Sequence, residues 1–443
     1  MATAKKKAVS PKKQRPAKKK ATAKEETTPQ KATAKKSAAP KKKATASKVT
    51  SKQKSTTKKK AATTTAPKNT PAKKAAAKKS APAKKKTAAS SEKTKAAQLA
   101  PKENTASKRT SAVSKTKMLP RAFLVDLATT IRDAVAPLAR SVKAKSVVDT
   151  SPSGDATFEL DRVAEKALLG FLKNANLPVA YYSEDEGYST FTSAPPKYLL
   201  VVDPVDGSRA AKNGFEGCTV AIASTRVIER PAMADLDNAC VVELLGARTF
   251  YAERGKGVRV NEDGGVRRPK LSENTNLETL SWAMTVPARP AELIFPTAAR
   301  LIDLSSLKGG FFACNSTSYS LTRLITGQLD ACVDFAGRYL RDLEELVEDY
   351  FINAGRGTAL GICPYDLAAA LLIAEEAGCI VTDAYGNRFD DVLLLDSSIS
   401  NQQSLIAASN AELHKKLMTF FETRIKQFEQ LLQRRADEKA AKA

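Results

Sequence analysis

Histidine occurs once in 443 residues, as His414. A phosphohistidine intermediate is therefore excluded for any reaction centred elsewhere in the chain. No aromatic residue precedes Phe123, and the only large aliphatic residues between Met1 and Met118 are Val9, Val49, Leu99 and Val113. A segment so poor in apolar side chains cannot offset the entropy of ordering itself, so residues 1–117 are expected to form a disordered arm. No stretch approaches the roughly 18 apolar residues of a membrane span. The N-terminus also lacks the apolar core of a signal peptide, and the chain reads as a soluble, cytoplasmic protein. Six cysteines are present, Cys218, Cys240, Cys314, Cys332, Cys363 and Cys379, and none forms a C-x-x-C pair. Most sit in apolar runs, which favours reduced, buried thiols over a disulfide framework. A catalytic thiol is the alternative.

Charge is as uneven as the aromatics. Residues 1–117 hold 35 Lys, 2 Arg and 4 Glu, a net +33 against +26 for the whole chain, which leaves −7 for residues 118–443. The string Ala-Lys-Lys-Lys-Ala appears at 4–8 and 17–21, and frequent proline prevents a continuous helix. Dense lysine without aromatics suits sequence-blind contact with DNA or RNA phosphates. A solvated tail that only aids solubility is the other reading.

From Pro120 onward apolar residues are plentiful. Leu124, Leu127, Ile131, Val135 and Leu138 recur at helical spacing, which predicts a helix over 121–139. A second is expected over 161–173, with Val163, Ala164, Ala167, Leu168 and Phe171 inward. Strands are expected at 198–202, 219–225 and 239–245. A helix near 317–326 should lead to a strand at 329–335. Asp366 opens an Ala/Leu-rich helix that Gly378 ends, and a strand follows at 380–383. Such alternation argues for a layered α/β domain over 118–423. Its two lobes should run over about 118–265 and 266–423, before a charged helical tail at 424–443.

The sharpest local feature is Asp203-Pro204-Val205-Asp206-Gly207-Ser208, directly after an apolar strand. Pro204 and Gly207 force a tight turn, which can gather two carboxylates and a free carbonyl. Hard cations such as Mg2+ want that all-oxygen set. If Gly207 and Ser208 open a helix, their amides can meet an anion. An ordinary surface turn also fits the hexapeptide taken alone. More acids stand nearby in motif-like settings: Ser183-Glu184-Asp185-Glu186, Asp161 after Thr157, and Asp366 at a helix start. Asp366 is either the N-cap of that helix or a ligand held at its tip.

Together these segments resemble the inositol monophosphatase-like superfamily, which includes archaeal-type fructose-1,6-bisphosphatases and bisphosphate nucleotidases. Asp203–Ser208 matches its D-P-[IV]-D-G-[TS] motif. Ser183-Glu184-Asp185 matches its S/G-E-E segment, and Thr157–Asp161 its T-x-x-D. Asp366–Gly378 matches its D-x-A-A…E-A-G helix. Tyr251–Gly257 looks like its Y-A-x-x-G-x-G hairpin. The resemblance implies a two-lobed α/β sandwich and a Mg2+-dependent phosphatase acting on a small phosphorylated sugar or polyol. By that resemblance Glu184, Asp203, Asp206, Asp366 and the Val205 carbonyl would hold two Mg2+ ions, and Asp161 would help hold a third. Asp161 and Ser208 would polarise the attacking water, Gly207 and Ser208 would bind the phosphate, and Asp185 would stand behind the ligands. The implied reaction is metal-assisted attack by water.

Substrate choice is less legible. The glutamate that animal inositol enzymes place seven residues before the Asp366 equivalent is Ala359 here. Candidate substrate contacts are Asn315, Ser316, Arg209, Lys212 and Arg338, each of which also fits an ordinary exposed polar residue. The stretch 339–362 falls outside the resemblance. Leu340, Leu343, Leu346, Val347 and Tyr350 fit one helical face, which either shapes the site mouth or joins two subunits of a homodimer. The rival functions are a 3'(2'),5'-bisphosphate nucleotidase and a nucleic-acid-binding protein with an incidental phosphatase domain.

Overall fold

The computed structural model describes residues 116–442. The expectations for residues 1–115 lie outside that range. Helix α1 (Arg121–Val135) buries Leu124, Leu127, Ala128, Ile131 and Val135 on one face. Pro137 stops it short of residue 139, because proline offers no N–H to continue the ladder; one 3-10 turn, Ala136–Leu138, finishes it. A small hairpin, β1 (Val147–Thr150) with β2 (Ala156–Phe158), leads into α2 (Glu159–Ala175), which Asn176 closes in the left-handed conformation. The buried residues of α2 are Glu159, Leu160, Asp161, Ala164, Glu165, Leu168 and Leu172. Val163, Ala167 and Phe171 reach only their margin, Phe171 stacking edge-on against Phe123 at 5.4 Å. Three acids thus occupy buried positions of α2, of which Glu159 is paired with Arg162.

Strands β3 (Val179–Ser183), β4 (Gly187–Thr190), β5 (Tyr198–Asp206), β6 (Thr219–Thr225), β7 (Asn238–Glu243), β8 (Thr249–Glu253), β9 (Val258–Glu262) and β10 (Gly265–Arg267) form an eight-stranded sheet. Its order is β10-β9-β8-β7-β6-β5-β3-β4, antiparallel throughout except where β3 lies parallel to β5. The short helix α3 (Ser208–Ala211) sits between β5 and β6. A second sheet follows in the order β12-β11-β13-β15-β14, from β11 (Ser281–Thr285), β12 (Gly310–Cys314), β13 (Ala331–Asp334), β14 (Ile380–Thr382) and β15 (Leu405–Ala408). Helix α4 (Ala291–Ser305) carries the chain from β11 to its parallel neighbour β12, and α5 (Thr317–Ile325) carries it on to β13. Then come α6 (Ala336–Asp342), α7 (Glu344–Ala354), α8 (Pro364–Ala377) and α9 (Ala411–Ala440).

The period-two alternation of strand side chains sorts these elements into layers. On the eight-stranded sheet, Leu200, Val202, Val220, Ile222 and Val242 face α1 and α2. Leu199, Val201, Ala221, Ala223 and Val241 face the other way, onto α8 and α5. Helix α8 is almost wholly apolar because it is covered on both sides; Ala283, Cys332, Val381 and Ala407 of the second sheet meet it from below. The outer face of that sheet, with Trp282, Met284, Val333 and Ile406, packs under α4, α6, α7 and α9. The result is a layered sandwich, α/β/α/β/α, as the alternating pattern suggested.

The stretch 339–362 is not one amphipathic helix. The chain breaks at Leu343 (φ −136°, ψ 33°) into α6 and α7, with Val347 and Phe351 buried and Tyr350 exposed. Helix α9 passes residue 424 without interruption, held by Phe421 and Ile425. Among the described residues, no helix is long and apolar enough to cross a membrane.

Candidate active site

Strand β5 delivers the hexapeptide. Its register against β6 slips between Asp203, which pairs with Ala221, and Asp206, which pairs with Thr219. That bulge gives β5 one extra residue, so Asp203 and Asp206 can serve one site instead of pointing to opposite faces. Gly207 then takes φ 92°, and a Cβ there would lie 2.6 Å from the Gly217 carbonyl oxygen, so only glycine fits the turn.

Two further acids arrive by one device used twice. Asp366 is the third residue of α8, and its Oδ2 accepts the Cys363 N–H at 2.7 Å. Asp161 is the third residue of α2, and its Oδ2 accepts the Phe158 N–H at 2.7 Å. Each carboxylate caps its helix with one oxygen and presents the other to the site. Asp366 is therefore not the N-cap, which is Cys363, and capping does not compete with a ligand role. Oxygens of Asp203, Asp206 and Asp366 lie within 4.8 Å of one another. Asp161 Oδ1 accepts the Ser208 hydroxyl at 2.8 Å, and Ser208 Oγ lies 3.0 Å from the Val205 carbonyl oxygen. Because β3 runs parallel to β5, with Ser183 opposite Val202, Glu184 emerges beside Asp203. Asp185 accepts the Thr157 hydroxyl at 2.5 Å. The Ser318 N–H at the start of α5 donates to Asp206 at 2.6 Å.

None of Asp161, Glu184, Asp203, Asp206 and Asp366 forms an ion pair among the described residues. Burial raises every one of them. Asp366 is pushed up to about 8, by burial and then by the charge of Asp206. Asp161 rises to about 7, and Asp206 to about 6 against the hydrogen bonds that hold its charged form. Glu184 and Asp203 are held well above the ordinary carboxylate range by burial and by their acidic neighbours. Clustered acids with no basic partner form an oxygen-only donor set of one sign, which fits a hard divalent cation.

The profile for the inositol monophosphatase family matches residues 121–426. The chain belongs to the inositol monophosphatase family, a family of phosphatases. It is 28% identical over 304 residues to a fructose-1,6-bisphosphatase/inositol-1-monophosphatase of Methanothermobacter thermautotrophicus, covering 67% of this chain and 95% of that one. It is 27% identical to a bifunctional NADP phosphatase/NAD kinase of Methanococcus maripaludis, where the match covers 68% of this chain but only 49% of the relative. A Nus factor SuhB of Pseudomonas aeruginosa is 25% identical, over 63% of this chain and 88% of its own. Among solved structures, the suhB protein of Bartonella henselae superposes with a TM-score of 0.49 at 20% identity, over 68% of this chain and 96% of that one.

Other residues of this phosphatase-family chain fall in mixed places. Asn315 lines the cavity beside Asp206 and Asp366, together with Arg209, Arg289, Leu360 and Gly361. The last two come from the end of the 339–362 stretch, so that stretch does reach the mouth. Ser316 is buried as the N-cap of α5, its hydroxyl accepting the Tyr319 N–H at 2.9 Å. Lys212 lies over the Phe158 ring at 3.5 Å. Arg338 is not at the mouth. Asp342, Glu422 and the Ala384 carbonyl hold it beneath α9. The sequence also spaces Cys332 and Arg338 as thiol phosphatases space their nucleophile and arginine. Burial raises the Cys332 thiol, and Arg338 is bound elsewhere, so the pair cannot serve that chemistry. The remaining cysteines are free, and all but the half-buried Cys314 are buried. Two charged residues at the mouth escaped the sequence reading. Asp155 grips Arg209 at 2.6 and 3.0 Å, and Arg289 is held by Asp334 at 2.7 Å.

Proposed function

We propose that this chain is a Mg2+-dependent phosphomonoesterase acting on a small phosphorylated sugar or polyol, of the inositol monophosphate or fructose 1,6-bisphosphate class. The observation that carries the reading is the convergence of Asp203, Asp206 and Asp366, from both lobes and without any basic partner, beside the Asp161–Ser208 pair. Glu184, Asp203, Asp206, Asp366 and the Val205 carbonyl are the residues that would hold two Mg2+ ions, with Asp161 contributing to a third. Bound there, the ions would shield the phosphoryl oxygens and acidify a water. The Ser208 hydroxyl, fixed between Asp161 Oδ1 and the Val205 carbonyl, orients that water. Asp161 Oδ1, which accepts that hydroxyl, would polarise the water together with Ser208. The Gly207 and Ser208 amides receive the phosphate, and Asn315 meets the remainder of the substrate. Ser316 contributes by starting α5, whose next turn anchors Asp206. Asp185 steadies the turn that carries Glu184.

Arg209 and Arg289 favour a second reading in which the substrate carries two anionic groups. That class includes fructose 1,6-bisphosphate and 3'(2'),5'-bisphosphonucleotides, and one relative is named an NADP phosphatase. A phosphate-release assay over inositol monophosphate, fructose 1,6-bisphosphate, a 3',5'-bisphosphonucleotide and NADP, with Mg2+ and with EDTA, tests both readings. Release from none of them in Mg2+ would sink the enzymatic proposal. A preference for inositol monophosphate would sink the second reading.

The lysine-rich arm is proposed to bind DNA or RNA through phosphates alone, since residues 1–117 carry 37 basic residues against 4 acids and no aromatic. If about 8 phosphates are engaged, affinity should drop on the order of 10⁴-fold between about 50 and 200 mM salt. Salt-resistant binding, or binding kept after deletion of residues 1–117, would refute this.

A further inference from the structure

Two arginines line the cavity over the acid cluster, and the protein holds them differently. Arg289 is locked in place. Its Nε and Nη2 donate to Asp334 at 2.9 and 2.7 Å, and its Nη1 donates to the Pro287 carbonyl at 3.1 Å. Both members of that pair are buried, with side chains 9% and 1% exposed. Ala288, directly before it, takes φ 57°, a strained setting for alanine that persists only where the surroundings impose it. Arg209 is held by one carboxylate. Its Nη1 and Nη2 donate to Asp155 at 3.0 and 2.6 Å, and these side chains are 35% and 26% exposed.

Asp155 can release Arg209 at little cost. Its Oδ1 also accepts the Ala156 N–H at 2.7 Å, so the carboxylate keeps a partner when the guanidinium leaves. It ends the turn of the β1–β2 hairpin, whose first strand is exposed at all four positions. The tip of that hairpin closes on the 339–362 stretch: a Cβ on Gly154 would lie 2.3 Å from Thr358 Cγ2. The cavity beneath measures about 70 Å3, whereas a small-molecule site needs about 300 Å3 or more. A substrate therefore enters only when part of this wall moves, and the Asp155–Arg209 pair is its exchangeable member.

We propose that Asp155 occupies Arg209 in place of a second anionic group of the substrate, and that this group displaces the Asp155 carboxylate as the substrate enters. A carboxylate and a phosphate both match the guanidinium fork, and the phosphate brings more charge to it. A substrate with one phosphate commits that group to the Gly207 and Ser208 amides and has nothing to exchange, so Asp155 stays and the mouth stays narrow. Arg209 is then the specificity-determining residue, and Asp155 a positioning residue that acts through it. The inference rests on the phosphatase reading with a doubly anionic substrate.

Initial rates of the full chain in Mg2+, with fructose 1,6-bisphosphate and inositol monophosphate, test this. Arg209→Gln should raise KM for the bisphosphate, relative to the monophosphate, by about tenfold or more, as loss of hydrogen bonds to a charged group does. Arg209→Lys, which keeps the charge but not the fork, should recover part of that ratio. Asp155→Asn should lower the ratio by about two- to fivefold, the worth of a part-exposed ion pair. In the double variant with Arg209→Gln, Asp155→Asn should change nothing further, because its effect passes through Arg209. Arg209→Gln raising both KM values alike, or an Asp155→Asn effect that persists without Arg209, overturns the proposal and leaves the phosphatase reading standing. Wild type that hydrolyses neither compound removes the phosphatase reading, and this inference with it.

Discussion

Asp206 and Glu243 stand in one row across the eight-stranded sheet, separated only by Thr219, which pairs with both. Both are 4% exposed. The protein neutralises them in opposite ways. Glu243 is gripped by Arg323 of α5, and Arg248 approaches it at 3.4 Å. From the same helix Asp206 receives hydrogen bonds, that of the Ser318 N–H among them, but no charged partner, and it faces Asp203 and Asp366. One helix thus serves two buried acids, supplying a full countercharge to one and withholding it from the other. Burial of an acid is therefore no mark of function. What sets Asp206 apart from Glu243 is that it forms no ion pair among the described residues.

Four measurements can break or sharpen that contrast. The largest effect on stability is expected at the closed end. Arg323→Leu leaves Glu243 buried with a single distant arginine and should cost about 3–5 kcal/mol in urea unfolding. At the open end, Asp206→Asn should lose about 100-fold or more of phosphatase activity. Its unfolding midpoint in EDTA should stay level or rise, since a repulsion has been removed. If both variants destabilise alike, the contrast fails.

The third measurement is the pH dependence of stability in EDTA. Asp206, Asp161 and Asp366 have folded-state values raised to about 6, 7 and 8. In that window the native state holds protons that the unfolded chain releases. Their contribution is full below about pH 3.8, and is lost as pH rises through about 6 to 8. The slope should reach at most about 1.4 kcal/mol per pH unit for each group. Saturating Mg2+ should reverse the loss, adding about 2.7 kcal/mol at a hundred times its Kd. A flat profile in EDTA would show that the acids are compensated within the protein. The smallest effect belongs to Arg248→Gln. Arg248 is 27% exposed and lies at the edge of the Glu243 pair, so about 1 kcal/mol or less should be lost.

Much of the site was legible because it is local. The Asp203–Ser208 turn follows an apolar strand and contains its own Pro and Gly, and α8 announces itself by its alanines and leucines and by Gly378. The dual use of Asp161 and Asp366 was not legible, since a capping acid and a ligand look identical until the second oxygen is seen. Arg338 was assigned to the mouth because a basic residue after a strand reads the same whether it meets substrate or Glu422. Arg289 went unnoticed for the converse reason, as its place depends on how β11 and β13 pair in space. Glu165 sits where the helical pattern expects an apolar side chain, and it is buried all the same. The break at Leu343 was hidden by apolar spacing that runs through it.

Helix α8 also dictates when this protein can come into being. A chain made from its N-terminus completes the eight-stranded sheet at Arg267, long before Pro364 leaves the ribosome. Until then the sheet face bearing Val201, Ala221, Val241 and Phe250 lacks its main cover and has only α5 beside it. That sheet completes its packing only when α8 is made. That helix also brings Asp366, so the piece that seals the core delivers the last acid of the cluster. A chain ended before Pro364 therefore lacks its core cover and Asp366 alike.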